Sequence, residues 1–194
     1  MARPREFDPN VALDGAMNVF WAHGYEGASL PLLLTGMGLT RGSFYKAFND
    51  KKSLFLQSLD RYEGHAVTPA VEKLCDPTIK DGTRRIEAVF QSVINAARNG
   101  DDRGCLLCSA AAGPAAEDED IANATHRLLD RLQSAFETAI SQSALAAGEE
   151  SEKTRALGSH LLTHYVGLRI LVRSKAPMAL LERSAQSVLS VLNT

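Results

Sequence analysis

The chain has 194 residues, of which 45% are hydrophobic and 23% are charged, and it carries a formal net charge of −2. This composition is ordinary for a globular protein and excludes one that coats nucleic acid through a uniformly basic surface. No apolar run approaches the roughly 18 residues of a membrane span, and the N-terminus lacks the apolar core of a secretion signal, which predicts a cytoplasmic protein without membrane contact.

The first predicted helix runs from Pro9 to His23 and is closed by Gly24, a residue type that often caps a helix C-terminus. Its apolar residues recur at helical spacing and are Ala12, Ala16, Val19 and Phe20. Ser29 is the predicted N-cap of a second helix. Pro31 lies in the first turn of that helix, where its missing N–H costs little.

Gly38 predicts a sharp turn into a short third helix, because glycine adopts positive φ without steric cost. Thr40 is the predicted N-cap of this helix. Its inward-facing residues are Leu39, Phe44 and Phe48, and its outward-facing residues are Arg41, Ser43, Tyr45 and Lys46. Two short helices joined by a glycine turn after a longer helix form a helix-turn-helix unit, which places this motif at roughly residues 29–48.

The outer side of the third helix carries hydrogen-bond donors that match the acceptors of duplex DNA. Arginine binds a guanine edge through two hydrogen bonds, so Arg41 and Ser43 are predicted to contact bases. Tyr45, Lys46 and Lys51 are predicted to hold phosphate. The full predicted set of DNA-contacting residues is Arg3 and Arg5 on a flexible arm, then Ser29, Thr40, Arg41, Gly42, Ser43, Tyr45, Lys46 and Lys51.

Six further helices are predicted after this unit, and the absence of any β-hairpin signal makes the predicted fold all-α. The first four run from Lys51 to about Leu74, from Asp81 or Thr83 to Ala97, from about Gly104 to Ala112, and from the acidic residues before Ile121 to about Ala146. Acidic side chains favour a helix N-terminus, which supports the start of the fourth. Two more helices complete the chain.

The last two predicted helices carry apolar residues in alternating steps of four and three. Such faces suit antiparallel packing against a symmetry mate, or they complete the core of one chain, and periodicity does not separate the two. We expect a homodimer, because one small reading helix contacts too few base pairs to be selective. The predicted interface residues are Leu157, Leu161, Leu168, Leu171, Leu181, Ala185, Val188, Leu189 and Leu192.

Roughly residues 5 to 60 resemble the TetR family of one-component transcriptional regulators. The residues that match the family in type and spacing are Ala16, Phe20, Gly24, Tyr25, Ser29, Gly38, Leu39, Ser43, Phe44, Tyr45, Phe48, Lys51, Leu54 and Phe55. The later Gly104–Leu106 stretch resembles one branch of that family. The chain departs from the family at Pro31–Leu34, where three leucines replace the usual polar or acidic residues.

The resemblance implies a TetR-like fold with a helix-turn-helix domain over residues 1–55 and a helical ligand-binding and dimerisation domain over residues 56–194. It also implies a homodimer that binds a palindromic double-stranded DNA operator, and a small-molecule effector that enters a cavity between the central helices. The candidate residues of that cavity are Phe90, Ile94, Cys105, Leu107, Phe136, His164, Tyr165 and Leu168.

Cys105 and Cys108 form a C-x-x-C pair, and three cysteines in total do not indicate a disulfide framework. A structural zinc site needs four ligands, and no second pair or histidine cluster accompanies this one, so no metal or cofactor is predicted. The two thiols are either small core residues or an electrophile and oxidant sensor, because some TetR-like regulators are inactivated by modification of a cysteine at the Gly-Cys-Leu position.

The sequence therefore predicts a ligand-responsive transcriptional repressor rather than an enzyme. His160, His164 and Tyr165 are close together, but no nucleophile motif accompanies them. Three alternatives stay open: a thiol-based sensor of the same fold, a small C-x-x-C thiol enzyme, and a helical adaptor that binds only protein.

Overall fold

The computed structural model of the protein describes residues 7–143 and 151–191, and every regular element within them is helical, which confirms the predicted all-α class. Arg3, Arg5 and Leu192 lie outside the described residues. The helices are α1 (Pro9–Gly27), α2 (Leu30–Met37), α3 (Arg41–Phe48), α4 (Lys51–Tyr62), α5 (Thr68–Leu74), α6 (Gly82–Arg98), α7 (Leu106–Ala111), α8 (Glu119–Ser141), α9 (Ser151–Arg173) and α10 (Met178–Val191).

The chain divides into two compact units whose boundaries differ from the predicted one. The first unit comprises Met1–His65 and Leu106–His126, and the second comprises Ala66–Cys105 and Arg127–Thr194. The sequence placed a single boundary after residue 55. The difference arises because α7 packs against α1 and α4, with Leu106 fully buried, so that the chain returns to the first unit after the second has begun.

Aromatic side chains hold α1 against α4 in the first unit. Phe20 and Phe55 are fully buried and meet edge to face, with their ring centroids 4.8 Å apart. Trp21 packs edge-on against Tyr62 at 4.9 Å. Aromatic pairs of this geometry add about 0.5–1.5 kcal/mol each beyond the burial of their surface. They give the first unit a rigid base on which the shorter helices rest.

α1 and α2 cross with their backbones in direct contact. A Cβ on Gly15 would lie 2.1 Å from the carbonyl oxygen of Gly36, and a Cβ on Gly36 would lie 2.5 Å from Cγ2 of Val19. Real Cβ atoms do not approach other atoms so closely, so both positions require glycine. This crossing fixes α2 on α1, and it thereby positions α3, which follows α2 after a short turn.

The predicted helix from Lys51 to Leu74 is interrupted in the structure. A π-helical turn at Glu63–Val67 separates α4 from α5. Pro69 stands in the first turn of α5 and has no N–H to donate to a carbonyl one turn earlier, so an uninterrupted α-helix would lose a hydrogen bond there. The π-helical turn absorbs this mismatch and restarts the helical register.

The second unit has an aromatic centre of its own. Phe90 of α6, Phe136 of α8 and Tyr165 of α9 are buried, with ring centroids 6.3, 6.1 and 5.9 Å apart for the three pairs. Arg85 is also buried, and its guanidinium donates to the carbonyl of Leu74 at 3.1 Å and to Oε1 of Gln142 at 2.7 Å. A buried arginine is tolerated when such hydrogen bonds replace its hydration.

Candidate nucleic-acid interface

Local hydrogen bonds begin and end α2 as the sequence predicts. The Ser29 side chain accepts from the backbone N–H of Leu32 at 3.4 Å, which makes Ser29 the N-cap. Gly38 ends the helix in the left-handed conformation with a φ of 64°. Its N–H bonds the carbonyl of Thr35, and the next N–H, that of Leu39, bonds the carbonyl of Leu34. This closed turn sets the angle at which the chain enters α3.

α3 is anchored through one side and exposed on the other. Phe44 and Phe48 are buried, whereas Arg41, Tyr45 and Lys46 are exposed, and Tyr45 keeps 50% of its surface accessible. The exposed side of α3 thus combines a phenol hydroxyl with two cations, all of which can donate hydrogen bonds. The predicted inner and outer sides of α3 are therefore present in the structure.

The first turn of α3 is closed by two hydroxyl side chains. Thr40 Oγ1 accepts from the backbone N–H of Ser43 at 3.2 Å, and the two side-chain oxygens lie 3.0 Å apart. Thr40 is thus the N-cap that the sequence predicts. The Ser43 hydroxyl, which the sequence assigned to a base edge, is half-buried and already has Thr40 as a partner. Gly42 between them is exposed and adds no side chain to this surface.

Lys51, in the first turn of α4, lies against an aromatic ring. Its ammonium nitrogen is 4.6 Å from the centroid of the Tyr25 ring. Burial lowers the pKa of Lys51, and the nearby Glu26 opposes that shift. Burial also raises the pKa of Tyr25, with further contributions from Asp118 and Asp50. Lys51 is consequently a partly desolvated cation with a restricted side chain, which differs from a fully solvated surface lysine.

Lys52 has partners that sequence reasoning missed. Its ammonium nitrogen lies 2.8 Å from Oδ2 of Asp118 and 2.7 Å from Oδ2 of Asp120. The hydrogen bonds that Lys52 donates to these two carboxylates raise its pKa, and Lys52 in turn lowers the pKa of Asp118. The acidic run before α8 is visible in the sequence, but its partner is far away in the chain, and no local pattern connects the two.

The leucines that follow Pro31 have unequal surroundings. Leu33 is fully buried, whereas Leu32 keeps 42% of its surface exposed. The first turn of α2 therefore presents an apolar side chain next to the exposed Pro31. This surface differs from the polar or acidic helix start that the family resemblance implies.

The helix-turn-helix region and the whole chain are similar to known proteins. Residues 12–57 match the family described as "Bacterial regulatory proteins, tetR family". The Bacillus subtilis (strain 168) protein named uncharacterized HTH-type transcriptional regulator YezE is 30% identical over 198 residues, which cover 100% of both chains. This chain belongs to the TetR family of transcriptional regulators.

Other TetR-like proteins agree with this assignment. The HTH-type transcriptional repressor ComR of Escherichia coli (strain K12) is 31% identical over 139 residues, or 69% of this chain and 65% of ComR. The structure of a cysteine mutant of the TetR family regulator CifR, in complex with 26-bp double-strand operator DNA, has a TM-score of 0.84 and 26% identity, and the match covers 97% of this chain and 98% of CifR. The reduced form of E. coli NemR shares the fold, with a TM-score of 0.73 and 21% identity. The match covers 92% of this chain and 93% of the NemR chain.

The residues predicted for a TetR effector cavity are mostly buried in the structure. Seven of the eight are buried, and these are Phe90, Ile94, Cys105, Leu107, Phe136, Tyr165 and Leu168. His164 is exposed instead, and its Nδ1 lies 2.9 Å from the carbonyl oxygen of His160. Leu107 belongs to the first unit, whereas the other members belong to the second. In the described residues, Phe90, Phe136 and Tyr165 therefore act as core.

The residues predicted for a TetR dimer interface differ in how far the single chain buries them. Five of them are buried within the single chain, and these are Leu161, Leu168, Leu181, Ala185 and Val188. Leu157, Leu171 and Leu189 are half-buried. The large apolar residues that are exposed on the same two helices are Ile170 at 50% and Leu180 at 37%. The alternating pattern predicted an apolar face, but it did not distinguish the inner face from the outer one.

Within residues 7–143 and 151–191, no cluster of His, Cys, Asp or Glu side chains is placed to hold a metal ion. None of the helices in those ranges has the length and apolar character that a bilayer crossing needs.

Proposed function

We propose that this TetR family member is a cytoplasmic repressor that binds an inverted-repeat operator as a homodimer, with α3 of each protomer in a major groove. The observation that carries the proposal is the two-sided α3, which is anchored by Phe44 and Phe48 and exposes Arg41, Tyr45 and Lys46. The complex of CifR with its operator supports the same use of this fold. The proposed activity is binding, and it requires no catalytic group or cofactor.

The exposed residues of α3 divide into two roles. Arg41, at the start of the helix, reads a guanine edge through two hydrogen bonds, and the exposed Gly42 lets the backbone approach the groove closely. Tyr45 and Lys46 hold phosphate, together with Lys51 and the helix caps Ser29 and Thr40. Ser43 supports the first turn through Thr40 and contacts a base only if that hydroxyl pair rearranges. Arg3 and Arg5 extend along the adjacent backbone or minor groove.

Dimerisation uses the outer side of α9 and α10 in this proposal. Ile170 and Leu180 are its exposed apolar residues, and the half-buried Leu157, Leu171 and Leu189 flank them. A two-fold axis repeats α3 on successive major grooves, which supplies the selectivity that one short helix lacks.

The proposed effector is a small molecule that binds the second unit. A cavity of about 30 Å³ between α6 and α9 is lined by Val93, Ala96, Asp101, Gly104, Arg169 and Val172. That volume holds about one water molecule, so a larger effector must separate these helices to enter. An effector that favours the separated state by about 1–3 kcal/mol changes operator affinity some 5- to 150-fold.

Selection of bound duplexes from a randomised pool tests the proposal. We expect an inverted-repeat consensus and a stoichiometry of one dimer per duplex. Equal affinity for the selected duplex and a scrambled one would overturn it. Retained dimerisation without any duplex binding at low salt would favour the protein-binding adaptor instead.

A thiol sensor is the second candidate, because Cys105 directly follows two residues, Arg103 and Gly104, whose carbonyls are hydrogen-bonded to α9. Gly104 has a φ of 69°, and a Cβ added to it would lie 2.7 Å from the carbonyl oxygen of Arg169. Arg169 donates to the Gly104 carbonyl, and Arg173 donates to the Arg103 carbonyl at 3.0 Å. Oxidation would enlarge the side chain of Cys105, a residue that is only 5% exposed, and would thereby disturb these hydrogen bonds to α9.

The sensor is tested with mild oxidant and mass spectrometry beside operator-binding assays of the wild type and of Cys105→Ser. The expected result is that oxidant lowers operator affinity in the wild type and has no effect on Cys105→Ser. Modification of Cys105 that leaves affinity unchanged would reject this candidate. Turnover of a dithiol substrate in the absence of any salt-sensitive DNA affinity would favour the thiol enzyme instead.

A further inference from the structure

The acidic segment Glu117–Asp120 lies against the DNA-binding helices of its own unit. Asp118 and Asp120 both pair with Lys52, at 2.8 and 2.7 Å, and the segment and Lys52 belong to the same compact unit. Lys52 follows α3 after only a short connection and stands in the first turn of α4. Two carboxylates thus neutralise a cation that adjoins the reading helix.

The geometry of Asp118 makes this contact specific. Its Oδ1 accepts from the backbone N–H of Asp120 at 3.1 Å and from that of Ile121 at 3.4 Å, while its Oδ2 binds Lys52. The carboxylate therefore closes the first turn of α8 and holds Lys52 at the same time. The position of the Lys52 partner is set by the start of α8.

We propose that Asp118 and Asp120 compete with a DNA phosphate for Lys52, so that the acidic segment weakens operator binding from within the protein. This inference rests on the proposed operator-binding function and adds a regulatory contact to it. A carboxylate and a phosphate oxygen make the same kind of charge-assisted hydrogen bond with an ammonium group. The two carboxylates already occupy two of the three donors of Lys52, and their negative charge repels an approaching phosphate.

The exposure of the pair allows such an exchange. The Lys52 side chain keeps 37% of its surface accessible, and Asp118 and Asp120 keep 33% and 67%. Solvent screening makes exposed ion pairs of this kind weak, so a phosphate can displace them. A buried pair would not yield in this way.

The competition gives the start of α8 control over DNA affinity. A movement of the first turn of α8 that carries Asp118 away leaves Lys52 free for phosphate, and a movement that tightens the pair withdraws Lys52. α8 contains residues of both units, because the division falls between His126 and Arg127. The Lys52 pair is therefore a point at which a change in α8 alters the charge of the DNA-binding surface.

The test measures the affinity of the full chain for the selected operator duplex over a range of salt concentrations. The main variant is Asp118→Asn with Asp120→Asn, because asparagine still caps a helix while it removes the charge. The matched control is Glu117→Gln with Glu119→Gln, which removes two charges from the same segment but leaves the Lys52 pair intact. Lys52→Ala is added to the wild type and to the main variant.

When the logarithm of the binding constant is plotted against the logarithm of the salt concentration, each additional neutralised phosphate makes the slope more negative by about 0.9. For the two protomers of a dimer the change is about 1.8. We expect the main variant to bind more tightly than the wild type and to show this steeper slope. Lys52→Ala in the main variant should return the slope to that of the wild type. The control variant should gain affinity without a change of slope. Thermal unfolding verifies that every variant is folded.

Two results would overturn the inference. One is an unchanged slope in the main variant, and the other is an equal change in the control variant, which would show that Lys52 makes no phosphate contact of its own. Both results leave the operator-binding proposal intact. If the wild type fails to bind any selected duplex, that proposal is overturned together with the inference.

Discussion

Lys51 and Lys52 are neighbours in the chain, yet the fold gives them different chemistry. Lys51 lies over the ring of Tyr25, and Lys52 is held by Asp118 and Asp120. A helix turns by about 100° per residue, so consecutive side chains meet different surroundings. Charge counting treats the two lysines as equal contributors to a basic patch. Their contacts show that Lys51 is restrained by an aromatic ring and Lys52 by two anions.

The roles of Arg41 and Lys51 are separable by substitution. We expect Arg41→Ala to weaken binding to the selected operator by about 1–3 kcal/mol and to relax base preference, because a two-pronged guanine contact is lost. Lys51→Ala should weaken binding to the operator and to a scrambled duplex by the same factor, since phosphate contacts carry no sequence information. Fluorescence anisotropy with both duplexes measures the two ratios. Equal loss on the two duplexes for Arg41→Ala would contradict the base-reading role.

At the scale of elements, local signals predicted helix ends well and long-range partners poorly. Ser29 and Thr40 each cap the helix that the sequence assigned to them, because a cap is decided within three residues. The glycine crossing of α1 and α2 and the Lys52 pair depend on residues far apart in the chain. The π-helical turn before Pro69 was also missed, since a proline shows that a helix is disturbed but not how its register recovers.

The joint between α1 and α4 predicts a pH dependence of stability. Arg61 donates to both carboxylate oxygens of Asp14, at 2.6 and 2.7 Å, and thereby lowers the pKa of Asp14. The Asp14 carboxylate therefore binds a proton less tightly in the folded state than in the unfolded chain, where an aspartate has a pKa of about 3.9. The stabilisation is fully present above that pH and is lost as the pH falls through the folded pKa.

Asp14→Asn should consequently lower the free energy of unfolding by about 1 kcal/mol or less near neutral pH, because the pair is about one-third exposed. The difference from the wild type should shrink below a pH of about 4. Urea unfolding across this range measures it, with the exposed Asp130 changed to Asn as the control. A difference that stays constant with pH would show that the Arg61 pair is not its source.

At the scale of the whole molecule, apolar periodicity predicted helices correctly and their partners only in part. Leu161, Leu168 and Leu181 lie in the core of the single chain, although the sequence assigned them to an interface. A core face and an interface face of a helix share the same spacing, so only the packing of the neighbouring helices separates them. The resemblance to the TetR family, by contrast, rested on the types and spacing of residues from α1 to α4 and did not require their partners to be known.

The exposed apolar residues of α9 and α10 test the dimer directly. We expect Ile170→Arg to weaken self-association by roughly 10-fold or more, since it removes an apolar side chain worth about 1.5–3 kcal/mol when buried and places a charge on the two-fold interface. Val11 of α1 is also an exposed apolar residue, at 66%, and Val11→Arg is the matched control that should leave association unchanged. Analytical ultracentrifugation over a concentration series measures both. If Ile170→Arg stayed as dimeric as the wild type, the interface would lie elsewhere. If it became monomeric and yet kept full operator affinity, recognition would not require two reading helices.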